Sequence, residues 1–326
     1  MKICENCQTT QPENLLRCPG CGQSLLVAKT SDGFLKKFLE IDDHILNRFK
    51  EIRENTIKEA KTRSQKSGPM IALGISGSSR SEFDNAGENS NSEFLLRAAL
   101  EELARLGSKT ELIALRDYDI KPCKACYSTT NAHCHFYCSC YPKGTPAGDD
   151  MSNILYDKIL GADIIVFATP VNYFKISSPM ALFIDRCISL DGSLEPADPS
   201  ASKNKNLNIK HTKFIELNAD EKIPGSGFLR RFTGKTAGII ATGHEEGASM
   251  AISQLFMTLN HCGLVFPPYS NMYAMGSILT GTYADKKLLT GEAFVKEARD
   301  LAKNLITMAT LLRKNEADWI YDNSAD

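Results

Sequence analysis

The chain has almost no net charge: 38 Lys and Arg stand against 39 Asp and Glu in 326 residues, a formal balance of −1. Readers of nucleic acid normally carry a basic surplus, so that class of partner is disfavoured. No uninterrupted apolar run approaches the roughly 20 residues that a membrane-spanning helix requires. The opening residues show no basic-then-apolar leader. The expectation is a cytoplasmic protein with neither membrane nor nucleic acid as a partner. Two nucleotide fingerprints are also missing, the G-x-x-x-x-G-K-S/T phosphate loop and the G-x-G-x-x-G dinucleotide turn. Nothing repeats at a fixed period, and no acid–base pair stands out as catalytic.

The composition is otherwise that of a globular chain with a sizeable core, 42% hydrophobic and 24% charged. Four of its eleven cysteines fall in the first 21 residues as Cys4-x2-Cys7 and Cys18-x2-Cys21. Two such turns present four sulfurs that suit one tetrahedral zinc ion, and Pro19 and Gly20 supply turn geometry in the second. Disulfides are the alternative, disfavoured without a secretory leader. The spacing predicts a zinc ribbon over 1–28, and four thiolates leave the metal no open position for catalysis. It is read as a folding unit or docking knob for a protein partner.

Phe34, Phe38, Ile41, Ile45, Phe49 and Ile52 recur at helical steps, which predicts an amphipathic linker helix within 29–68. From residue 70 the pattern changes. Strands are predicted at 70–75, 110–115, 164–168, 237–241 and 264–266, with helices at 93–106, 151–160, 179–190, 249–262 and in the last stretch, 283–313. Alternation of this kind implies an α/β, doubly wound parallel sheet covered on both faces. The main domain is placed at 69–315 and a tail at 316–326. Residues 191–230, polar and carrying Pro196, Pro199 and Pro224, show no clear helical period and read as an inserted lid, specificity loop or excursion.

Ligands of open parallel sheets bind at the carboxyl ends of the strands. Three loops there carry chemistry. Ser76, Ser78, Ser79 and Arg80, then Asn91 and Ser92 at the next helix start, offer hydroxyls, amides and a cation to a phosphate, although a polar loop capping a helix reads the same way. Pro170, Val171, Asn172, Tyr173 and Phe174 suit a planar heterocycle, or are ordinary core. Thr242, Gly243, His244 and Gly247 let the backbone approach a flat ligand closely.

In this order, Ser-Gly-Ser-Ser-Arg at 76–80, Pro-Cys-Lys-Ala-Cys at 122–126, Asp149-Asp150-Met151, the 169–174 loop, Phe-Ile-Asp-Arg at 183–186, Gly-Lys-Thr at 234–236 and Thr242-Gly243 resemble the NADPH-dependent FMN reductase family, whose iron–sulfur flavoproteins form one branch. The resemblance covers about 70–310 and leaves out the ribbon, the linker and the insertion. It implies a flavodoxin-like five-stranded sheet of order 2-1-3-4-5 with FMN at the switch point. Ser76, Ser78, Arg80, Asn91 and Ser92 match the phosphate loop, 170–174 the isoalloxazine loop, and Thr242 and Gly243 the third flavin loop. Relatives often place the flavin near a dimer interface, so a homodimer or tetramer is implied.

A second cluster, Cys123, Cys126, Cys134, Cys138 and Cys140, lies just past the second strand. Five thiols this close can supply the four that an iron–sulfur cluster, such as 4Fe-4S, needs. Thr129 stands where a third cysteine would continue the spacing, and His133 and His135 would suit zinc. Iron–sulfur, another metal and no metal all stay open. The functional expectation is an FMN-dependent oxidoreductase that takes hydride from NADPH or NADH and passes electrons to an acceptor. An alternative is an electron carrier or binding module docked through the ribbon, and a third reading is a quinone or nitro-compound reductase.

Overall fold

The computed structural model describes residues 2–3, 10–11, 18–21, 31–64, 66–81, 90–220, 222–243, 247–276 and 287–314. Strands β1 (Lys2–Ile3) and β2 (Thr10–Gln11) pair antiparallel, with Lys2 opposite Gln11. Cys18 is buried beside a turn that ends at the exposed Cys21. Cys4 and Cys7 lie outside the described residues, so the structure does not show the expected zinc ribbon.

The single linker helix of the sequence reading is two helices, α1 (Asp32–Leu39) and α2 (Asp43–Ser64). Ser31 caps α1 by accepting from the Phe34 amide, and Glu40 ends it in a left-handed conformation with φ 50°. That break rotates the apolar face. Phe34 and Phe38 stay about half exposed, with rings stacked at 5.4 Å, while Leu35, Leu39, Leu46, Phe49 and Ile52 are buried.

The main sheet begins with β3 (Ile71–Ser76), buried on both faces after its first residue. Gly74 is closely covered there, since a Cβ would meet a Leu100 methyl at 2.7 Å and that side chain would have to shift. Next come α3 (Asn91–Arg105), β4 (Lys109–Ala114), a π turn (Met151–Leu155) running into α4 (Tyr156–Gly161), and β5 (Ile164–Asn172). β6 (Lys175–Ile176) folds back on β5, and α5 (Ser178–Cys187) follows, capped by Ser177 accepting from the Met180 amide. The chain continues through α6 (Lys205–Asn218), β7 (Thr236–Gly243), α7 (Ala248–His261), β8 (Asn271–Met275) and α8 (Glu292–Lys314).

Strands β4, β3, β5, β7 and β8 lie in that order and all pair parallel. Counted in chain order within this sheet, the path is 2-1-3-5-6 rather than the expected 2-1-3-4-5. The extra short strand β6 takes the fourth place and pairs antiparallel to β5, off the path. The last strand is also displaced from its expected place at 264–266. Val265 makes one isolated bridge to Thr236, and Pro267 and Pro268, which have no N–H to donate, stop a ladder there. The strand forms at Asn271–Met275 instead. Helices α3 and α8 cover one face over Leu96, Leu100, Leu301 and Leu305, and α4, α5 and α7 cover the other over Ile159, Phe183 and Leu255.

The insertion is not an excursion. Helix α6 lies within it, capped by Asn204 accepting from the Leu207 amide. Phe214 and Ile215 join Leu35, Leu39, Leu46, Phe49 and Ile52 in a third core, so linker and insertion bury each other. Its helical period was hidden because two of its buried positions are polar, Asn208 and His211. The His211 ring stacks on Phe49 at 4.5 Å.

Candidate functional site

Strands β3, β5 and β7 are neighbours, with Ser76 opposite Ala168 and Pro170 opposite Thr242. The three loops singled out in the sequence therefore leave the same end of the sheet side by side. They are also tied together. The Gly77 amide donates to the Ala168 carbonyl at 2.8 Å, the Ser177 hydroxyl donates to the Gly77 carbonyl at 2.6 Å, and the Ser177 amide donates to the Thr169 hydroxyl at 3.1 Å. A Cβ on Gly77 would meet Ser177 and Met180 within 3 Å, so only glycine fits at this crossing.

In the first loop, Ser76 and Ser78 are buried and Ser79 and Arg80 are exposed. The Arg80 amide donates to the Ser78 hydroxyl at 3.2 Å. Ser90 occupies the N-cap of α3, but its hydroxyl pairs with Ser92 at 2.7 Å instead of capping the helix. First-turn amides left without a side-chain cap are a ready anion site, strengthened by the helix dipole. This geometry fits a phosphate. Asn91 is half-buried as the first residue of the helix.

Glu93 was not foreseen. It is buried in the first turn of α3, accepts from the Ser76 hydroxyl at 3.1 Å, and pairs with Arg97 at 2.7 Å and Arg116 at 2.6 Å. Burial pushes its carboxyl up, but the bonds from Arg116 and Arg97 outweigh it and hold the group below the usual carboxylate range. Ser76 thus faces inward as a support for the loop. An (i, i+4) pair with Arg97 was the only signal in the sequence, and Arg116 arrives from beyond β4.

The second loop is a two-residue hairpin joining β5 to β6, with Asn172 opposite Lys175. Tyr173 and Phe174 both have positive φ, 48° and 62°, the sign a two-residue hairpin turn demands at both central positions. Neither is glycine, so strain is held at this tip. Tyr173 is 87% exposed and Phe174 53%, while Val171 is buried and Pro170 half-buried. In the third loop Thr242 is buried and Gly243 lies against Val171, where a Cβ would approach at 3.2 Å. His244 lies outside the described residues. Gly247 has a different reason from the one expected: a Cβ there would come within 2.3 Å of the Phe174 Cα, so its bareness admits the hairpin.

The five cysteines of the second cluster are brought together. The Cys126 thiol is in hydrogen-bonding reach of Cys134 and Cys140, and Cys140 in turn of Cys138. Donation by Cys134 and Cys140, then the ammonium of Lys203, pulls Cys126 down toward the thiolate. The two donors are pushed up because each must keep its proton. Cys123 is raised chiefly by burial and senses Cys126 and Cys138. The thiols meet in a chain, Cys134 to Cys126 to Cys140 to Cys138, and among the described residues no group of three or more His, Cys, Asp or Glu is arranged as a metal-binding set. The imidazoles are engaged elsewhere: His133 Nδ1 with the Asn208 amide at 2.9 Å, and His135 Nδ1 with the Ser139 hydroxyl at 2.8 Å. Burial lowers both, His135 to about 4, so they stand neutral.

One wall of this cluster comes from the insertion. Lys203 donates to the His133 carbonyl at 2.9 Å, and the Phe136 amide donates to the Leu194 carbonyl at 3.0 Å. Nothing in the sequence could have paired residues 133 and 203. The other side is fixed by Arg186, about 1% exposed, which pairs with Asp149, donates to the Lys121 carbonyl at 3.0 Å and lies over the Tyr141 ring at 4.4 Å.

Residues 70–207 match the family model for NADPH-dependent FMN reductase. Two curated relatives are both called iron–sulfur flavoprotein. The one from Archaeoglobus fulgidus is 33% identical over 96 residues, 29% of this chain and 42% of that protein. The one from Methanocaldococcus jannaschii is 33% identical over 118 residues, 36% of this chain and 51% of that protein. The chain thus spans about half the length of these curated relatives. Among solved structures, RosB with bound 8-demethyl-8-formylriboflavin-5'-phosphate covers 78% of this chain and 83% of its own, at a TM-score of 0.52 and 21% identity. At that identity the likeness speaks for the fold, a parallel sheet with flanking helices.

Proposed function

We propose that the protein is an FMN-dependent oxidoreductase, oxidising a reduced nicotinamide, NADPH or NADH, and delivering the electrons to an acceptor. The observation that carries this reading is the meeting of a helix start, whose N-cap Ser90 makes no capping bond, with a strained aromatic hairpin at the ends of three adjacent parallel strands. Ser78, Ser79, Arg80, Asn91, Ser92 and the first amides of α3 hold the phosphate. The hairpin 170–174 positions the ring system from one side, and Thr242 and Gly243 bring backbone to its edge. FMN, when bound, supplies hydride acceptance and one- or two-electron release. The chain contributes placement, burial and charge, which is why no acid–base pair is required of it.

Four of Cys123, Cys126, Cys134, Cys138 and Cys140 would hold an iron–sulfur cluster. Their shared neighbourhood, each within reach of another, supports that assignment. A zinc ion on Cys4, Cys7, Cys18 and Cys21 rests on spacing alone. The exposed hairpin tip supports a homodimer or tetramer in which Tyr173 and Phe174 touch the neighbouring subunit.

The test is anaerobic purification followed by an ultraviolet–visible spectrum, iron and sulfide assay, and NADPH oxidation with a quinone as acceptor. Yellow protein that oxidises NADPH is expected. Protein that is colourless and refuses added FMN refutes the flavin reading, and FMN-loaded protein without nicotinamide oxidation leaves the electron-carrier reading instead. The stacked, half-exposed Phe34 and Phe38 favour that second reading, as a docking point for a protein partner.

A further inference from the structure

At the other end of the sheet, where β3, β5 and β7 begin, lies a cavity of about 30 Å³ lined by Arg63, Lys66, Lys235, Arg313 and Asp163. The volume suits an ion of a few atoms. Each cation has partners, several of them shared. Lys66 donates to the Gly161 and Ala162 carbonyls at 3.0 and 3.1 Å, and lies 3.3 Å from Asp163. Lys235 donates to the Leu160 carbonyl at 2.9 Å and to that of Ala162. Arg313 pairs with Asp163 at 2.8 Å and donates to the Gly68 carbonyl at 2.9 Å. Arg63 pairs with Glu59, which Arg231 also shares at 3.0 Å.

These contacts do not neutralise the site. Four cations line the cavity and a fifth, Arg231, joins through Glu59; against them stand two carboxylates, Glu59 and Asp163, and the carboxyl ends of α2, α4 and α8 at about half a negative charge each, which leaves a positive surplus of between about one and two charges. The Asp163 carboxylate is already divided among Lys66, Arg313 and the Ile71 amide. Two observations show that the positive surplus is uncompensated. The Arg313 Nε is buried without a hydrogen-bond partner among the described residues. The Lys235 ammonium is pushed down by burial and then by repulsion from Lys66 and Arg63. A dianion in the cavity would satisfy the orphaned donor and relieve the repulsion together.

We propose that this cavity is a binding site for a small tetrahedral oxyanion of the phosphate and sulfate class, held by Lys66, Lys235 and Arg313. Such an ion would join the end of α2, α8 and the starts of two strands, elements that otherwise share the single Asp163 carboxylate among several cations. The site is separate from the flavin loops, which leave the opposite end of the same strands, and does not depend on the flavin reading.

The test is calorimetric titration of the full-length protein with inorganic phosphate in chloride buffer of constant ionic strength. The variants are Lys66→Gln, Arg313→Gln and, as a control at the other end of the sheet, Arg80→Gln. Loss of one charged contact should weaken phosphate by at least about tenfold in the first two, and Arg80→Gln should keep the site. Lys66 and Arg313 are each partly exposed, so if one variant fails to fold the other decides. Absence of phosphate binding in the wild-type protein, or its loss in Arg80→Gln alone, overturns the proposal; the latter would place the only phosphate site at the α3 start.

Discussion

Replacing Gly247 with Ala tests the contact between the third loop and the aromatic hairpin. Gly247 has φ −76°, so alanine meets no backbone objection. The obstacle is steric: the new Cβ would stand 2.3 Å from the Phe174 Cα and 2.9 Å from its carbonyl carbon. Both are backbone atoms of a strained turn, with no side chain to swing away. Ordinary carbon–carbon contact near 3.5 Å would require the hairpin to withdraw by roughly 1 Å. Overpacking of this kind costs about 1–3 kcal/mol, which for a domain of this size lowers the Tm by roughly 2–10 °C. Since the proposed role of this hairpin is to position the ring system, FMN affinity should fall by at least about tenfold on that proposal. Thermal denaturation and FMN fluorescence quenching read the two effects. Gly161→Ala is the control, since its Cβ would meet nothing within 4 Å. A Gly247→Ala protein with unchanged Tm and unchanged FMN affinity would refute both the contact and its assigned role.

Tyr173→Gly should act in the opposite sense on stability. Its φ of 48° costs an L-residue about 1–2 kcal/mol, partly offset by the greater unfolded-state freedom of glycine, so a gain of about 0.5–1 kcal/mol in urea denaturation is expected alongside weaker FMN binding. His211 governs acid stability. Burial first, then His135 and Arg48, lowers it to about 3. Between about pH 6.5 and 3 the unfolded chain therefore binds a proton that the native chain refuses, and stability falls with falling pH by about 1.4 kcal/mol per unit from this residue. His211→Phe, which keeps the stack on Phe49, should flatten that slope by the same amount. An unaltered pH profile would show that the ring is protonated in the fold.

The sheet was legible because buried parallel strands announce themselves as short apolar runs, as 71–76 and 164–168 do. Where an apolar run misled, at 264–266, two prolines just beyond it decided the outcome. Helix α6 escaped notice because buried Asn208 and His211 broke its apolar stripe, the first bonded to His133 and the second stacked on Phe49, both far away in sequence. The candidate loops were readable from their place after strands and their glycines. What glycine is there for was not: Gly247 makes room for Phe174, a contact only the folded chain reveals. The carboxylate behind Ser76 and the ammonium beside Cys126 belong to the same class, pairings across long stretches of chain that carry no local signature.

The shared core of α1, α2 and α6 makes the amino-terminal helices a remote buttress for the sulfur-rich loop. A shortened protein starting near residue 69 would strip the underside of α6, and with it loosen the anchorage that Lys203 and Asn208 give to His133. Colour lost from such a truncation would report a collapsed wall, not an absent ligand set. By the same mechanical link, anything grasping α1 has a solid route of force to the thiols.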